Sequence, residues 1–186
     1  NVVAKLVKVA KTGAEGVALQ SSGQLILDGF DVQDSALAGI SIIETIDTVV
    51  RDSIVNNAGG DGYEIEGVLA LSSKGVSLIN STASNSTGNG FSTNFVDNPT
   101  FTDVISTENG GDGFNFTNTD NALLCNGTSH ANTGADVFID ATSNATSIYD
   151  GCIEFANIVD NGTNTDIFLE KEAFQEIIDE IKIPAV

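Results

Sequence analysis

A small or turn residue followed by an apolar one recurs along this chain, at Gly16-Val17, Gly39-Ile40, Gly62-Tyr63, Gly90-Phe91, Gly113-Phe114 and Asp136-Val137. The intervals are 23, 23, 28, 23 and 23 residues, and Asp166-Ile167-Phe168-Leu169 echoes Asp136-Val137-Phe138-Ile139 after a further 30. No other feature limits the fold as strongly. Self-similarity at this period belongs to solenoids, in which each repeat is one small unit that buries its apolar face only against its neighbours.

The content of each repeat is also periodic. After the landmark the first and third positions are apolar, as in Val17 and Leu19, Ile40 and Ile42, Tyr63 and Ile65, Phe114 and Phe116, Val137 and Ile139. The position between them is polar at Ser41, Glu64, Ser92 and Asn115. Alternation of this kind makes a short strand with one face inward. A second apolar patch follows at Leu25–Leu27, Val49–Val50, Phe101 and Leu123–Leu124, and a third at Phe30 and Val32, Ile54 and Val55, Val104 and Ile105. Between these patches stand Asp28-Gly29, Asp52-Ser53 and Asp103, which suit tight turns. Three short strands per repeat predict one coil of a parallel β-helix, with coils stacked at ~4.8 Å and like residues above like. Tyr63, Phe91 and Phe114 should therefore form an aromatic ladder inside.

The expected fold class is all-β: a right-handed, single-stranded parallel β-helix of about six to seven coils. The solenoid should occupy residues 12–169, after a strand-like N-terminal segment, 1–11. Residues 170–186 should be a capping helix and tail, since Phe174, Ile177, Ile178 and Ile181 fall at helical spacing with acids early and Lys182 late. The extra residues of the long third interval lie within 67–89, where SNSTGNG reads as a bulging loop, and those of the last near 156–165.

GGDGFNF, VVRDSIVNNAGGDGYEI and the run of short strands with Asn and Gly at corners resemble the right-handed β-helix proteins of the pectin-lyase-like superfamily, over roughly residues 12–170. The resemblance implies the fold. It leaves open an activity, because that architecture carries lyases, hydrolases, adhesins, viral tailspikes and inert structural proteins alike.

Charge narrows the partners. Residues 12–170 hold 22 acids against Arg51 and Lys74, so the body carries 2 − 22 = −20, while Lys5, Lys8 and Lys11 cluster at the start. Such a surface repels phosphate, which argues against nucleic acid and anionic membranes as partners. No apolar run approaches the ~20 residues of a membrane span, which argues against insertion. The chain contains no Met, so as given it is a processed form or a fragment; its start at Asn1 favours a mature protein that is extracellular, on a cell surface or in a virion. Cys125 and Cys152 form a disulfide candidate, with two buried thiols as the alternative. Glycosylation sequons occur at Asn80, Asn85, Asn115, Asn126, Asn144 and Asn161.

GGDG at 59–62 and again at 110–113 resembles the start of a calcium-binding nonapeptide, but those repeats run in tandem and these copies lie 51 apart. The motif reads as a corner turn in which glycine takes positive φ, with Asp61 and Asp112 as weak calcium candidates; no cofactor is required. No catalytic set assembles. Asn118-Thr119-Asp120 is similar to the NTD motif of polygalacturonases, but the Asp-Asp, Gly-His-Gly and Arg-Ile-Lys that accompany it there do not occur. A lyase needs a base near calcium-binding acids, and the coils offer Arg51, expected on an acid such as Asp28 or Asp52, and Lys74. His130 is the single histidine. Asp136 with Asp140, or Glu64 with Glu66, are carboxylate pairs in reach of glycosidase chemistry, though solvated acidic faces explain them as well.

The functional expectation is a non-enzymatic structural or surface protein, such as a virion, fibre, spike or cell-surface component, with self-association, other structural subunits or a surface glycan as partners. Lys5, Lys8 and Lys11 are the assembly candidates, or else the guards of their own first coil. The alternative is a polysaccharide lyase or glycoside hydrolase.

Overall fold

The computed structural model describes residues 2–20, 23–67, 73–150 and 157–169. Over these the chain is an all-β parallel solenoid of about seven turns, with no helix among the described residues. The expected helix after residue 169, and Cys152, lie outside them. One turn shows the plan: Thr100–Thr102 joins the first sheet, Ile105–Thr107 the second and Phe114–Asp120 the third. The first sheet runs from Val2–Lys5 to Asp166–Leu169, the second from Lys8–Ala10 to Thr128–His130, and the third from Val17–Gln20 to Ile158–Asp160. The N-terminal segment is part of this winding, with Val2 opposite Leu25 and Lys8 opposite Asp31.

Parallel pairing in constant register turns the sequence period into columns. Ile40, Tyr63, Phe91, Phe114 and Val137 lie one above the next and are completely buried or nearly so. The rings of Tyr63 and Phe91 stack at 4.9 Å and 9°, those of Phe91 and Phe114 at 5.0 Å and 7°. That spacing is the strand spacing, so the ladder of rings follows from the ladder of backbones. Phe101 closes against Phe91, Phe114 and Phe116 edge to face.

Corners are made by left-handed residues. Asp52, Asn80, Asp103 and Asn126, between the first and second sheets, all have φ between 46° and 53°. Asp and Asn tolerate that conformation better than other side chains. Acid and amide alternate down this column, so the Asn80 amide donates to Asp52 at 2.6 Å and the Asn126 amide to Asp103. Like charges are thereby kept off adjacent rungs.

The landmark glycines serve a different need from the one expected. Among the described glycines, Gly29 and Gly75 alone have positive φ. Gly62 and Gly113 are needed because the chain enters the third sheet against the middle of the second. A Cβ on Gly113 would stand 2.1 Å from the Ser129 Oγ and 2.6 Å from the Asp136 carbonyl; on Gly62, 2.7 Å from both the Ala83 Cβ and the Gly90 carbonyl.

The insertion of the long interval lies within 67–89, as expected, but not at SNSTGNG, and the last interval is not lengthened. Glu66 pairs with Asn94, 28 residues on, whereas Ser73 pairs with Val96, 23 on, so the insertion lies between them. SNSTGNG is instead a regular corner, since Ser84 pairs with both Asn56 and Thr107. At the C-terminal end Asp166 pairs with Ser147 in the first sheet, and the partner of Val137 is Ile158. The last turn is therefore shortened, 21 residues in place of the 30 read from the sequence. Local similarity of Asp-Ile-Phe-Leu to Asp-Val-Phe-Ile masked the change of sheet.

Candidate functional site

The acids singled out in the sequence are held by neighbouring turns. Asp61, Asn89 and Asp112 form one column at the entrance to the third sheet. The Asp61 Oδ1 accepts the Asn89 backbone N–H at 2.6 Å, the Asn89 Oδ1 that of Asp112 at 2.8 Å, and the Asp112 Oδ1 that of Ala135 at 2.8 Å. Each oxygen occupies the space a side chain would need at the preceding residue: a Cβ on Gly88 or Gly134 would lie 2.2 Å from the Asp61 or Asp112 Oδ1. The motif GGDG is thus an interlock between turns, in which carboxylate and amide do the same work. Burial pushes the Asp61 carboxyl above the ordinary carboxylate range, and the charge of Asp112 adds to this. Among the described residues no three His, Cys, Asp or Glu side chains converge as metal ligands would.

The carboxylate pairs divide in the same way. Asp136 is buried, accepting the Ser129 hydroxyl at 3.0 Å and the Asn157 N–H at 3.0 Å. Burial alone would raise the Asp140 carboxyl, but the hydroxyls of Thr142 and Ser143 and the N–H groups of Asn118 and Thr142 hold it below its usual range. Glu64 and Glu66 project outward from the strand Tyr63–Glu66 of the third sheet. Glu64 is half-buried and accepts the Ser41 hydroxyl at 3.1 Å. Its carboxyl is pushed up by burial and by the charges of Glu66, Asp61 and Glu15.

Asn118, Thr119 and Asp120 do not converge. Asn118 is a left-handed residue whose amide donates to Asn94, Thr119 faces inward on the Thr93 hydroxyl at 2.8 Å, and Asp120 is exposed opposite Asp97. The coil cations are likewise engaged: Arg51 with Asp28 at 2.9 Å, as expected, and Lys74 with Asp97 at 3.9 Å. Lys5 and Lys8 lie on Asp28 and Asp31, at 3.3 and 3.2 Å, and Lys11 is an exposed left-handed corner residue. His130 ends its strand, exposed, 3.1 Å from the Thr107 hydroxyl. Cys125 is half-buried on the first sheet.

Several sequons have a conformational origin. Asn80-Ser81-Thr82, Asn85-Ser86-Thr87 and Asn126-Gly127-Thr128 each place a left-handed Asn at a corner, a small residue after it and an outward Thr next. Asn115 faces outward but is half-buried, its amide donating to Asp112 at 2.8 Å. Asn144 accepts from Asn164 at 2.8 Å, and Asn161 is exposed.

One polar column went unread in the sequence. Asn109 is buried, accepting at Oδ1 the Ser86 N–H and donating to Ser106 and Asn132, and Asn132 repeats the arrangement on Ser129. Its signal was present, small polar residues at 23-residue spacing among inward positions, but apolar periodicity does not register it.

No protein-family model matches the sequence, and no curated protein matches it. Solved structures do match its fold. The A-module of an Azotobacter vinelandii mannuronan C-5 epimerase superposes with TM-score 0.58 at 13% identity, over 89% of this chain and 56% of that one. The A-module of a second such epimerase from the same organism gives 0.53 at 15%, over 91% and 58%. ORF18 of Geobacillus virus E2 gives 0.57 at 16%, over 87% and 40%. The chain thus spans less than two thirds of each. These likenesses establish a parallel β-helix. At such identities they establish the fold alone.

Proposed function

We propose that the chain is a non-enzymatic structural or surface protein, a right-handed β-helix serving an extracellular, cell-surface or virion assembly, with the segment after residue 169 as its cap. One observation carries this reading: the polar side chains a catalyst would need are engaged between turns. Arg51 and Lys74 are ion-paired, Asp61, Asp112, Asp136 and Asp140 hold backbone N–H groups, and the three residues of Asn118-Thr119-Asp120 point in different directions. The likeness to a viral gene product is compatible with it, and self-association or a surface glycan supplies the partner.

A second reading, a polysaccharide-acting enzyme like the epimerases of the same fold, is favoured by Glu64, whose burial favours the protonated form that a general acid needs. Incubation with polymannuronate, polygalacturonate and neutral glucans, with and without calcium, separates the two. The structural reading expects no change in the polymers. Turnover abolished by Glu64→Gln or Asp120→Asn overturns it.

A further inference from the structure

The flank formed by the second sheet is unlike the rest of this acidic chain. Its strands Ile54–Asn56, Thr82–Ser84, Ile105–Thr107 and Thr128–His130 lie on consecutive turns in the middle of the stack. Outward they present one column of Ile54, Thr82, Ile105 and Thr128, and beside it a polar column of Asn56, Ser84, Thr107 and His130. None of these is Asp, Glu, Lys or Arg, although the chain carries −19. The first column alternates in relief. Ile54 and Ile105 are 49% and 41% exposed, and Thr82 and Thr128, one carbon shorter, are half-buried. The isoleucines therefore stand two rungs, roughly 9.6 Å, apart, with a shallower site after each.

Such a column fits a copy of itself turned end for end. A two-fold axis lying in the face, parallel to the strands and midway between the rungs of Thr82 and Ile105, sets Ile54 over Thr128 of the other copy and Thr82 over Ile105. Every isoleucine then meets a threonine. The flanking corners obey the same rotation. Asp52, Asn80, Asp103 and Asn126 on one side bring Asp52 over Asn126 and Asn80 over Asp103, so each acid meets an amide. On the other side the left-handed residues Asn57, Asn85, Glu108 and Ala131 bring Glu108 over Asn85. Like charges are kept apart, as two chains of this charge require. Turning the copy about the solenoid axis instead would set Asp103 against Glu108 and the isoleucines against the polar column. Polar groups on the face are already bonded within one copy, the Asn80 amide to Asp52, the Ser84 hydroxyl to Asn56 and Thr107 to His130, so covering them costs little.

We propose that this face pairs two copies of the chain in an antiparallel, two-fold dimer, with Thr82 of each against Ile105 of the other. Four rungs of strand and corners measure roughly 20 Å by 20 Å, about 400 Å² from each copy, half of the ~800 Å² of a standard interface, so the pairing is weak and reversible. The inference rests on the structural reading above and names the surface that its self-association uses.

Sedimentation equilibrium of the full chain up to about 1 mM should show the mass rising from monomer toward dimer. The rise should be larger in roughly 0.5 M than in roughly 0.05 M salt, because the remaining charge of the two bodies repels. Thr82→Lys sets a lysine against Ile105, and Ile105→Glu sets a glutamate against Thr82. Both positions face outward, so each variant should keep the circular dichroism of the parent and associate at least about tenfold more weakly. An equimolar mixture of the two variants should recover association, since the lysine faces the glutamate at one of the two equivalent contacts and the other contact is unaltered. A parent that stays monomeric, variants that associate like the parent, or a mixture no better than its components overturns the proposal. A monomeric parent that also leaves the polysaccharides unchanged removes this inference alone and leaves the structural reading in place.

Discussion

Removing one ring from the interior ladder measures how far stability is held in columns. Phe91 is enclosed by Tyr63 at 4.9 Å, Phe114 at 5.0 Å and the edge of Phe101 at 6.0 Å, and is 1% exposed. Truncation to Ala loses the transfer energy of a buried Phe and leaves a cavity, together about 3–5 kcal/mol. Loss of two stacked contacts adds roughly 1 kcal/mol each. Phe91→Ala should thus cost about 5–7 kcal/mol, comparable with the whole stability of many domains at about 5–15 kcal/mol. Phe91→Leu, which refills most of the space, should cost about 1–2 kcal/mol. Urea unfolding followed by far-ultraviolet circular dichroism reads both. In a solenoid each turn contacts only its neighbours. Phe91→Ala and Phe114→Ala should therefore be coupled by about 1 kcal/mol, whereas Phe91→Ala and Val32→Ala, two turns apart, should be additive. A cost below about 1 kcal/mol for Phe91→Ala, with an unchanged denaturant slope, would refute the column argument.

Gly113→Ala should destabilise by at least about 2 kcal/mol through the Ser129 and Asp136 contacts, while Gly13→Ala, which meets nothing within 4 Å, should be neutral or mildly stabilising; thermal melts compare them. For Asp61 the raised carboxyl means that the folded chain holds its proton more tightly than the unfolded chain, so this contribution is present at low pH and lost as pH rises through the folded value. Asp61→Asn keeps an oxygen for the Asn89 N–H without the charge, so its urea midpoint should exceed that of the parent at neutral pH, the gain shrinking toward about pH 4. The Thr48 hydroxyl is buried without a hydrogen-bond partner, so Thr48→Val should raise stability by about 1 kcal/mol in the same assay.

The sequence carries the columns because inward positions must be apolar at a fixed spacing, and Tyr63, Phe91 and Phe114 could be placed on that ground alone. It does not carry the reason for a residue whose constraint lies one turn away. Gly62 looks like any turn glycine until the Gly90 carbonyl is seen against it, and nothing around Asp61 in the sequence announces the Asn89 N–H that its oxygen accepts. Composition also cannot tell a regular corner from an inserted one. SNSTGNG has the polar character of a loop and is a normal rung, whereas the insertion falls in the apolar stretch between Gly67 and Ser73.

That displaced insertion shows where this architecture accepts new length. Ile43 remains opposite Glu66, and Val49 remains opposite Ser77, although the chain between the two pairings has grown by five residues. The corner after the third sheet therefore behaves as an expansion joint: material added there leaves every rung above and below in place. A foreign peptide grafted between Gly67 and Ser73 would be carried at one fixed height and bearing on a stiff rod, and grafts at the equivalent corners of other turns would form an evenly spaced vertical array.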